Sequence, residues 1–507
     1  MIFIDKYLDK ITMYRLVLFY LLFIALIAII LSFVGILPYS GISIIFSIVI
    51  ISIASGFSNI VVSKLFNIPI NIESAFITSI ILALIIEPTL SGKYIETLPI
   101  LAMAGISATL SKYILAINKR HLFNPVALAV VFITYAFGYG ASWWVGNVYL
   151  LLPVLIGGLL VIRKLRQADL ILSFLAANIL GLLFYVASHL SELKDVLNLY
   201  LYSYILFFVF VMLTEPVTMP DTRKKRIVYG ALLGFLFIPQ LRIGSFMLGP
   251  ELALLFGNLF SYFISPQKRY MLRLLNKEKI STGIYNFVFD SKKKIAFIPG
   301  QYFEWTESPS RTDNRGNRRY FTIASSPTEE NIMLGVRFYD KPSSFKKILL
   351  NMQNGDKIAA SKLAGEFVMP ENRDIKLAFI AGGIGITPFR SMIKFLLDTN
   401  EKRDITLMYS NAAEVEIAYK EIFEKAKIDL GINTLYTLTD INSIGKDWWG
   451  SRGYVDKEMI IKEIPDYMER VFYLSGSHTM VTSFKSILIS LGLSKKQIKT
   501  DFFPGLV

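Results

Sequence analysis

The chain changes character near residue 267. Before that point apolar residues occur in long runs, and after it apolar and polar residues alternate. Ten apolar runs lie in the first part, at residues 14–37, 42–62, 74–90, 97–117, 123–140, 147–162, 169–188, 197–213, 226–241 and 248–265. A straight span needs about 20 apolar residues, and shorter runs are typical of helices that break inside a membrane bundle. The pattern predicts a polytopic α-helical membrane bundle of about ten spans over residues 1–266.

The second part of the chain has the pattern of two further domains. Alternation with a period of two predicts strands at residues 279–289, 295–298, 332–339 and 357–362. Their spacing is typical of a small antiparallel barrel, which we place at residues 267–372. Strands at 376–381, 404–410, 432–437 and 470–475 then alternate with helices at 387–398, 414–426 and 478–492. This order predicts a parallel α/β nucleotide-binding domain over residues 373–507.

The distribution of charge bears on partners and topology. The chain has 53 Lys and Arg residues against 39 Asp and Glu, a net charge of +14. Most basic residues flank apolar runs, which indicates contact with membrane lipid and not with nucleic acid. Lys6 and Lys10 precede the first run, and basic loops follow every second run thereafter. The alternation predicts a multi-pass protein of the cell membrane with both termini in the cytoplasm.

The scarcity of cysteine and histidine limits the electron carriers. The sequence contains no cysteine and three histidines, His121, His189 and His478. Iron–sulfur clusters held by cysteine are therefore excluded. A transmembrane haem needs two facing histidines, but His121 and His189 lie in predicted loops on opposite sides. The composition disfavours haem and favours an organic carrier, a flavin or a quinone.

Two motifs recur five runs apart in the predicted bundle. Glu87-Pro88 ends the third run and Glu215-Pro216 the eighth, while Asn124-Pro125 opens the fifth and Gly249-Pro250 the tenth. This spacing predicts a five-plus-five inverted repeat. A carboxylate beside an apolar span is unfavourable without a partner. Glu87, Asn124 and Glu215 are therefore candidates for binding a cation, relaying protons or holding a flavin. The alternative is that they are helix-end residues at the headgroup level.

The segments Lys119–Pro125 and Thr214–Pro220 are similar to a known family. Residues 40–265 resemble the membrane flavin subunits of the sodium-translocating NADH:quinone reductase and of the Rnf complex. The resemblance implies a ten-span bundle that carries flavin in the membrane. That family attaches FMN to a threonine in a Ser-Gly-Ala-Thr motif, which this chain lacks around residues 191–197. A noncovalent FMN or riboflavin, or a quinone, is expected instead.

Residues 270–507 resemble the ferredoxin–NADP reductase superfamily, as the segments Pro299–Tyr302 and Arg319–Thr322 indicate. The resemblance implies that Arg319 binds the pyrophosphate of FAD, that Phe321 stacks on the flavin and that Thr322 lies near its N5. A guanidinium and an aromatic face suit these roles. Tyr302 ends the first of these segments, Tyr320 lies within the second, and Ser343 and Ser344 form a turn before a predicted helix. These four residues are included among the cofactor-binding candidates.

The segment Leu377–Pro388 reads as a strand, a glycine turn and a helix start. Glycines let backbone N–H groups approach a pyrophosphate, Thr387 suits an N-cap and Pro388 a first helical position. In the superfamily this turn binds the nicotinamide nucleotide, which implies NADH or NADPH as substrate. The resemblance adds further candidates, and the set is Gly382, Gly383, Gly385, Thr387, Pro388, Ser410 and Gly476.

Three further positions refine the nucleotide site. Ser475 replaces the cysteine that relatives place beside the nicotinamide. Together with Thr322, which is expected near N5 of the flavin, Ser475 is a predicted catalytic residue. Ala412 and Ala413 stand where relatives that prefer NADP often have an arginine, which favours NADH. The tail from Asp501 to Gly505 also matches the superfamily.

Together these features predict an NAD(P)H-dependent flavoprotein oxidoreductase in the membrane. Electrons would pass through FAD to a membrane flavin or quinone, with coupling to ion transport and further electron-transport subunits left open. The alternatives are a haem-type reductase, or a transporter whose reductase-like domain senses redox state.

Overall fold

The computed structural model describes residues 8, 11–66, 72–89, 92–117, 120–165, 167–188, 204–238, 242–243, 246–266, 268–307 and 317–501. The chain forms two compact units, Met1–Gln267 and Lys268–Val507. The predicted boundary at residue 372, inside the second unit, remains a prediction.

Ten helical segments lie in the described part of the first unit. They are α1 (Met13–Phe33), α2 (Gly41–Phe66), α3 (Ile72–Ile85), α4 (Tyr94–Ile114), α5 (Pro125–Phe137), α6 (Val148–Leu165), α7 (Ala168–Ser188), α8 (Tyr204–Phe207, continued by a π-helical turn over Phe208–Met212), α9 (Arg223–Leu236) and α10 (Pro250–Ile264). Two short hairpins precede α5 and α10. These are β1 (Ala116–Ile117) with β2 (Arg120–His121), and β3 (Arg242–Ile243) with β4 (Phe246–Met247).

Four of these helices, α1, α2, α4 and α6, are long and apolar enough to cross a membrane. Helix α1 is apolar on every side, since Leu21 and Ile24 are fully buried while Leu22 and Leu26 are about half exposed. An all-round apolar helix with an exposed apolar face is typical of contact with lipid. The count of ten membrane spans remains a prediction.

The order of elements in the first unit is repeated. Each half has two long helices, a short helix followed by Glu-Pro, a further helix, a two-stranded hairpin and a short helix that begins at a proline. The packing repeats as well, because α2 packs against α4 as α7 packs against α9. Contacts between halves include α1 with α6 and α5 with α10. This agrees with an internal duplication, and the inverted orientation of its halves remains a prediction.

The first part of the second unit is a six-stranded antiparallel sheet. Its strands are β5 (Arg269–Ser281), β6 (Ile284–Asp290), β7 (Tyr302–Thr306), β8 (Arg318–Thr322), β9 (Ile332–Arg337) and β10 (Lys357–Ala364), in the order β8-β7-β10-β5-β6-β9. Helix α11 (Ser344–Asn351) follows β9. The buried core includes Phe287, Phe289, Phe303 and Trp305. Closure of this sheet into a barrel remains a prediction.

Two strand predictions in this region were wrong. The predicted strand over residues 279–289 is a hairpin, because Gly283 adopts a φ of +72° and turns the chain between β5 and β6. Left-handed backbone of this kind is readily accessible only to glycine. Residues 295–298 form no strand, although Ile295 is buried against the core.

The rest of the second unit is a parallel α/β fold, as predicted. Its strands are β11 (Leu377–Gly382), β12 (Ile405–Asn411), β13 (Asn433–Leu438), β14 (Ser451–Arg452), β15 (Val471–Ser475) and β16 (Ile498–Asp501), in the order β14-β13-β12-β11-β15-β16. Its helices are α12 (Thr387–Thr399), α13 (Lys420–Leu430), α14 (Lys457–Glu463) and α15 (His478–Ser490). The predicted helix 414–426 is a short 3₁₀ turn and then α13, since Tyr419 at φ +60° breaks the helix.

The strand order places a topological switch at β11. Strand β12 lies on one side of β11 and β15 on the other, all three parallel. In open α/β sheets, ligands bind outside the carboxyl ends of the strands at this point. The carboxyl end of β11 is the predicted glycine turn.

Candidate functional site

The glycine turn connects β11 to α12 through a 3₁₀ turn over Gly383–Ile386. Gly383 has a φ of +52°, which a side chain would strain. A Cβ on Gly385 would lie 2.4 Å from the carbonyl oxygen of Ser475, so this glycine allows the turn to pack against the end of β15. Both glycines are thus required by the local backbone.

The start of α12 differs slightly from the prediction. Ile386 is the cap residue, Thr387 is the first residue of the helix and Pro388 follows it. The Thr387 hydroxyl donates to the carbonyl of Ile384 at 3.2 Å and does not cap the helix. The preceding 3₁₀ turn already supplies helical geometry, so no side-chain cap is needed.

The predicted flavin signature forms the edge strand β8. Arg319 Nη1 donates to the carbonyl of Arg318 at 2.6 Å, and its guanidinium lies 5.6 Å from the ring of Phe345. The ring of Phe321 is 5.9 Å from the same phenylalanine. Arg319, Phe321 and the start of α11 therefore lie together.

A cleft lies between the antiparallel sheet and the α/β fold. It brings together predicted residues from distant segments, Phe321 and Thr322, Gly385 and Thr387, and Ser475 and Gly476. It is also lined by Gly335, Val336, Arg337, Lys346, Ile384 and Asp501. The two predicted catalytic residues, Thr322 and Ser475, thus face one cleft.

Asp501 is a residue that the sequence analysis did not single out as functional. Its carboxylate lies 3.5 Å from the Thr322 hydroxyl, which is long for an O–H···O hydrogen bond. Burial raises the pKa of the Asp501 carboxyl to about 7, and the contact with Thr322 opposes that shift. Asp501 pairs in register with Ser475. Asp501 opens the tail that the sequence analysis matched to the superfamily, and that match is the signal that would have found it.

Two cations also line the cleft, Arg337 at the end of β9 and Lys346 in α11. The Lys346 amine donates to the carbonyl of Arg337 at 2.7 Å. With Asp501 on the same surface, the cleft carries both signs of charge. The sequence analysis did not identify either cation as a candidate, because each lies in an ordinary amphipathic strand or helix.

Other predicted residues lie near the cleft without lining it. Gly382 ends β11 in register with Ser410 on β12. Pro388 is buried in α12, directly after the cleft residue Thr387. Ser343 is the N-cap of α11, where its hydroxyl accepts the N–H of Lys346 at 3.3 Å. Ser344 is the first residue of that helix. Their contacts with a cofactor remain predictions.

Tyr302 and Tyr320 also lie away from the cleft lining. Their rings are 5.6 Å apart in an edge-on contact. The Tyr320 hydroxyl donates to the buried carboxylate of Glu304 at 2.7 Å, and Lys362 lies 3.3 Å from the same group. The pair therefore packs on a charged cluster, and its assignment to a cofactor remains a prediction.

In the first unit, Glu215 is the centre of a polar cluster. Asn124 Nδ2 donates to Glu215 Oε2 at 2.8 Å, and His121 Nε2 lies 2.9 Å from Oε1. Thr218 adds a longer contact at 3.3 Å. Asn124 also caps α5 and donates its N–H to Asn258 at 2.7 Å. The structure thus joins two of the three predicted membrane-unit candidates across the two halves.

Glu87 lies in a different environment. Its backbone carbonyl accepts the hydroxyl of Tyr139 at 3.4 Å, and the segment after α3 bridges to Ala141. Among the described contacts, none joins it to Glu215. His121 was predicted in a loop, whereas it ends β2, because the chain turns back into a hairpin there.

Some predicted features fall outside the described residues. These are His189, the region around residues 191–197 and the tail beyond Asp501.

Comparison with known proteins supports the resemblance inferred for each half of the chain. Residues 143–270 match the model of the "NQR2, RnfD, RnfE family", and residues 379–486 match that of the "Oxidoreductase NAD-binding domain". Both resemblances inferred from the sequence are thereby confirmed. The first half of the chain thus contains a region similar to the NQR2, RnfD, RnfE family, and the second half contains one similar to the oxidoreductase NAD-binding domain.

Two curated relatives each match less than half of this chain. A flavohemoprotein of Bacillus anthracis is 24% identical over 241 residues, covering 46% of this chain and 60% of the relative. A glycine betaine monooxygenase reductase subunit of Pseudomonas aeruginosa is 23% identical over 238 residues, covering 46% and 64%. The chain thus spans less than two thirds of the length of these relatives.

Comparison with solved structures finds, among others, a FAD/NAD-binding domain of nitric oxide dioxygenase from Vibrio cholerae. That domain is 18% identical with a TM-score of 0.41, over 46% of this chain and 97% of its own. The cytochrome b5 reductase domain of Ulva prolifera nitrate reductase is 21% identical with a TM-score of 0.41, over 46% and 97%.

Proposed function

We propose that this protein is a membrane-bound flavoprotein oxidoreductase that passes electrons from NAD(P)H through FAD to a flavin or quinone in its membrane unit. The observation that carries the proposal is the cleft where Phe321 and Thr322 face Gly385 and Ser475. A flavin-signature strand and a nucleotide-type glycine turn share that cleft at the topological switch of the α/β sheet.

The residues around β8 fit the chemistry of FAD. A guanidinium such as that of Arg319 binds a diphosphate by two parallel hydrogen bonds. The start of α11 offers backbone N–H groups and the positive end of a helix dipole to the same phosphates. Phe321 supplies an apolar aromatic face for a flat ring. Bound FAD would accept a hydride from the nicotinamide and release its electrons one at a time.

The glycine turn fits the dinucleotide. Its N–H groups lie at the start of α12, where a pyrophosphate is favoured. Ser410 and Ala412 lie at the carboxyl end of β12, where the ribose is expected. Lys420 is 3.5 Å from Glu414 and contacts the ring of Trp449, so an acidic group already accompanies this cation. We therefore favour NADH over NADPH.

The cluster around Glu215 suits a redox carrier in the membrane unit. Reduction of a flavin or quinone takes up protons, and a hydrogen-bonded His–Glu pair can supply them. His121 and Glu215 form such a pair, and Asn124 orients the carboxylate. An ionisable cluster inside an apolar bundle is typical of a functional site. The resulting enzyme would be multi-pass, with both termini in the cytoplasm.

Purification of the full chain in detergent tests the proposal. Flavins released on denaturation are separated and identified, and NADH is then added to the intact protein under anaerobic conditions. We expect FAD, bleaching of its absorbance by NADH and reoxidation by an added quinone. A colourless preparation, or a flavin that NADH does not bleach, would refute the proposal.

A further inference from the structure

Arg337 reaches across the mouth of the cleft to the glycine turn. It ends β9 and lines the cleft, and a Cβ on Gly383 would lie 3.2 Å from its Nη1 atom. The guanidinium is also 5.5 Å from the ring of Tyr339. A cation at this place faces the same turn whose N–H groups suit a diphosphate.

The guanidinium is already engaged by a carboxylate. Arg337 Nη2 donates to Glu416 Oε1 at 2.6 Å, and the two side chains are only 21% and 14% exposed. The short contact and partial burial distinguish this pair from an exposed ion pair, which contributes little. A diphosphate that binds Arg337 has to replace the carboxylate or share the guanidinium with it.

Glu416 is held firmly in this position. Its second oxygen accepts the N–H of Ala412 at 3.4 Å, at the carboxyl end of β12. Its own carbonyl accepts the hydroxyl of Ser281, and the adjacent Val415 carbonyl accepts the N–H of Thr282 at 3.1 Å. The carboxylate therefore stays near the place where a nucleotide phosphate is expected, whether or not it keeps its contact with Arg337.

We propose that Glu416 competes with the nucleotide diphosphate for Arg337 and thereby lowers the affinity of the protein for NAD(P)H. This inference rests on the proposed function, because it requires the dinucleotide to bind over the glycine turn. In the free protein the carboxylate neutralises Arg337. On binding, two negative groups meet at one guanidinium, and their repulsion weakens the complex.

A purely structural ion pair makes the opposite prediction. If Glu416 only positions Arg337 for the nucleotide, its removal disorders the guanidinium and weakens binding. If Glu416 competes, its removal strengthens binding. The sign of the change in affinity therefore separates the two roles.

The test uses the full-length protein with its flavin and the variant Glu416→Gln. The amide oxygen of glutamine can still accept the Ala412 N–H, while the charge is lost. Glu421→Gln is the matched control, because Glu421 lies five residues away and is exposed in the first turn of α13. ADP serves as a diphosphate probe and adenosine as a probe without phosphate, each as an inhibitor of NADH-dependent flavin reduction.

We expect Glu416→Gln to lower the inhibition constant of ADP and the KM for NADH about fivefold, as loss of about 1 kcal/mol of competing interaction predicts. The inhibition constant of adenosine, the flavin content and kcat should not change. Glu421→Gln should leave all of these values as they are. Glu416→Asp, which shortens the side chain but keeps its charge, should shift ADP binding in the same direction by less.

The double variant Arg337→Gln/Glu416→Gln completes a double-mutant cycle. In the Arg337→Gln background, the Glu416 substitution should change ADP binding by less, because only the direct repulsion between the carboxylate and the phosphates remains. An unchanged or raised inhibition constant in Glu416→Gln, or an equal effect in both backgrounds, would overturn the proposal. Failure of the proposed function is distinguishable, because the wild-type flavin would then not be bleached by NADH at all.

Discussion

The hydroxyl of Thr322 faces the carboxylate of Asp501 across 3.5 Å, although 179 positions separate the two residues. Thr322 ends the edge strand of the antiparallel sheet, and Asp501 ends the last strand of the α/β sheet. Their contact places a buried titratable group beside the residue expected near the reactive part of the flavin. Burial raises the pKa of the Asp501 carboxyl to about 7, so the charge of this group in the cleft changes around neutral pH.

The first prediction concerns the pH dependence of flavin reduction. Since Asp501 changes charge near pH 7, the rate constant for flavin reduction by NADH should change with a midpoint near that value. Asp501→Asn should flatten the profile to within about twofold between about pH 6 and pH 8. The rate constant at each pH is measured by stopped-flow bleaching of the flavin absorbance. Asp290→Asn is the control, because Asp290 pairs with Arg273 on the exposed side of the sheet. An unchanged midpoint in Asp501→Asn would assign the titration to another group.

The second prediction concerns stability. The Asp501 carboxyl has a folded-state pKa of about 7, above its ordinary value of 3.8, so between these values the folded state binds the proton and the unfolded state does not. The free energy of unfolding should therefore fall as the pH rises from about 4 to about 7. Asp501→Asn cannot ionise, so it should melt at a higher temperature than the wild type at pH 8, with a smaller difference at pH 5. The midpoint of flavin release on heating gives both values. A lower midpoint for Asp501→Asn at pH 8 would contradict the prediction.

The third prediction concerns Arg319. Its replacement by alanine should weaken FAD binding by about 2 kcal/mol, or roughly 30-fold, because a charge-assisted contact with the phosphates is lost. The ratio of flavin to protein after gel filtration is the measurement. Arg273→Ala is the control, since that arginine is about half exposed on the same sheet. Full flavin content in Arg319→Ala would remove Arg319 from the proposed site.

The fourth prediction separates the nucleotide site from the flavin site. Gly385→Ala would place a Cβ 2.4 Å from the Ser475 carbonyl oxygen, so the turn has to move. We expect the KM for NADH to rise at least tenfold, with FAD content preserved. Gly445→Ala is the control, because no atom lies within 4 Å of the added Cβ. A normal KM in Gly385→Ala would show that the turn does not hold the dinucleotide.

Much of this architecture was predictable because it follows from local patterns. The run from Leu377 to Ala381 is buried throughout, as its uninterrupted apolar sequence requires for a central parallel strand. The glycines and the proline after it mark the turn and the helix. The same reasoning explains the starts of α5 and α10, which Pro125 and Pro250 open as predicted.

Long-range pairing was not predictable from such patterns. Arg337 meets Glu416, and His121 meets Glu215, 94 positions away, only because of tertiary packing. Each of these residues has an ordinary local context, so periodicity gives no sign of its partner. The hairpin at Gly283 was missed for a related reason, since both of its strands alternate and together resemble one longer strand.

The fifth prediction concerns the membrane unit. Glu215 receives contacts from His121 and Asn124, so Glu215→Gln removes the charge but keeps a group of the same shape. If this cluster supplies protons to a membrane-held acceptor, quinone reduction by NADH should slow at least tenfold, because a positioned acid–base group contributes about 100-fold or more. Reduction of ferricyanide by the flavin should stay normal, since it needs no proton from the membrane unit. Glu96→Gln is the control, as Glu96 is exposed at the start of α4. Equal loss of both activities would indicate a folding defect, whereas equal retention would leave the Glu215 cluster without a role in electron transfer. A selective loss of quinone reduction would instead show that the partly buried His121–Glu215 pair takes part in electron transfer to the membrane unit.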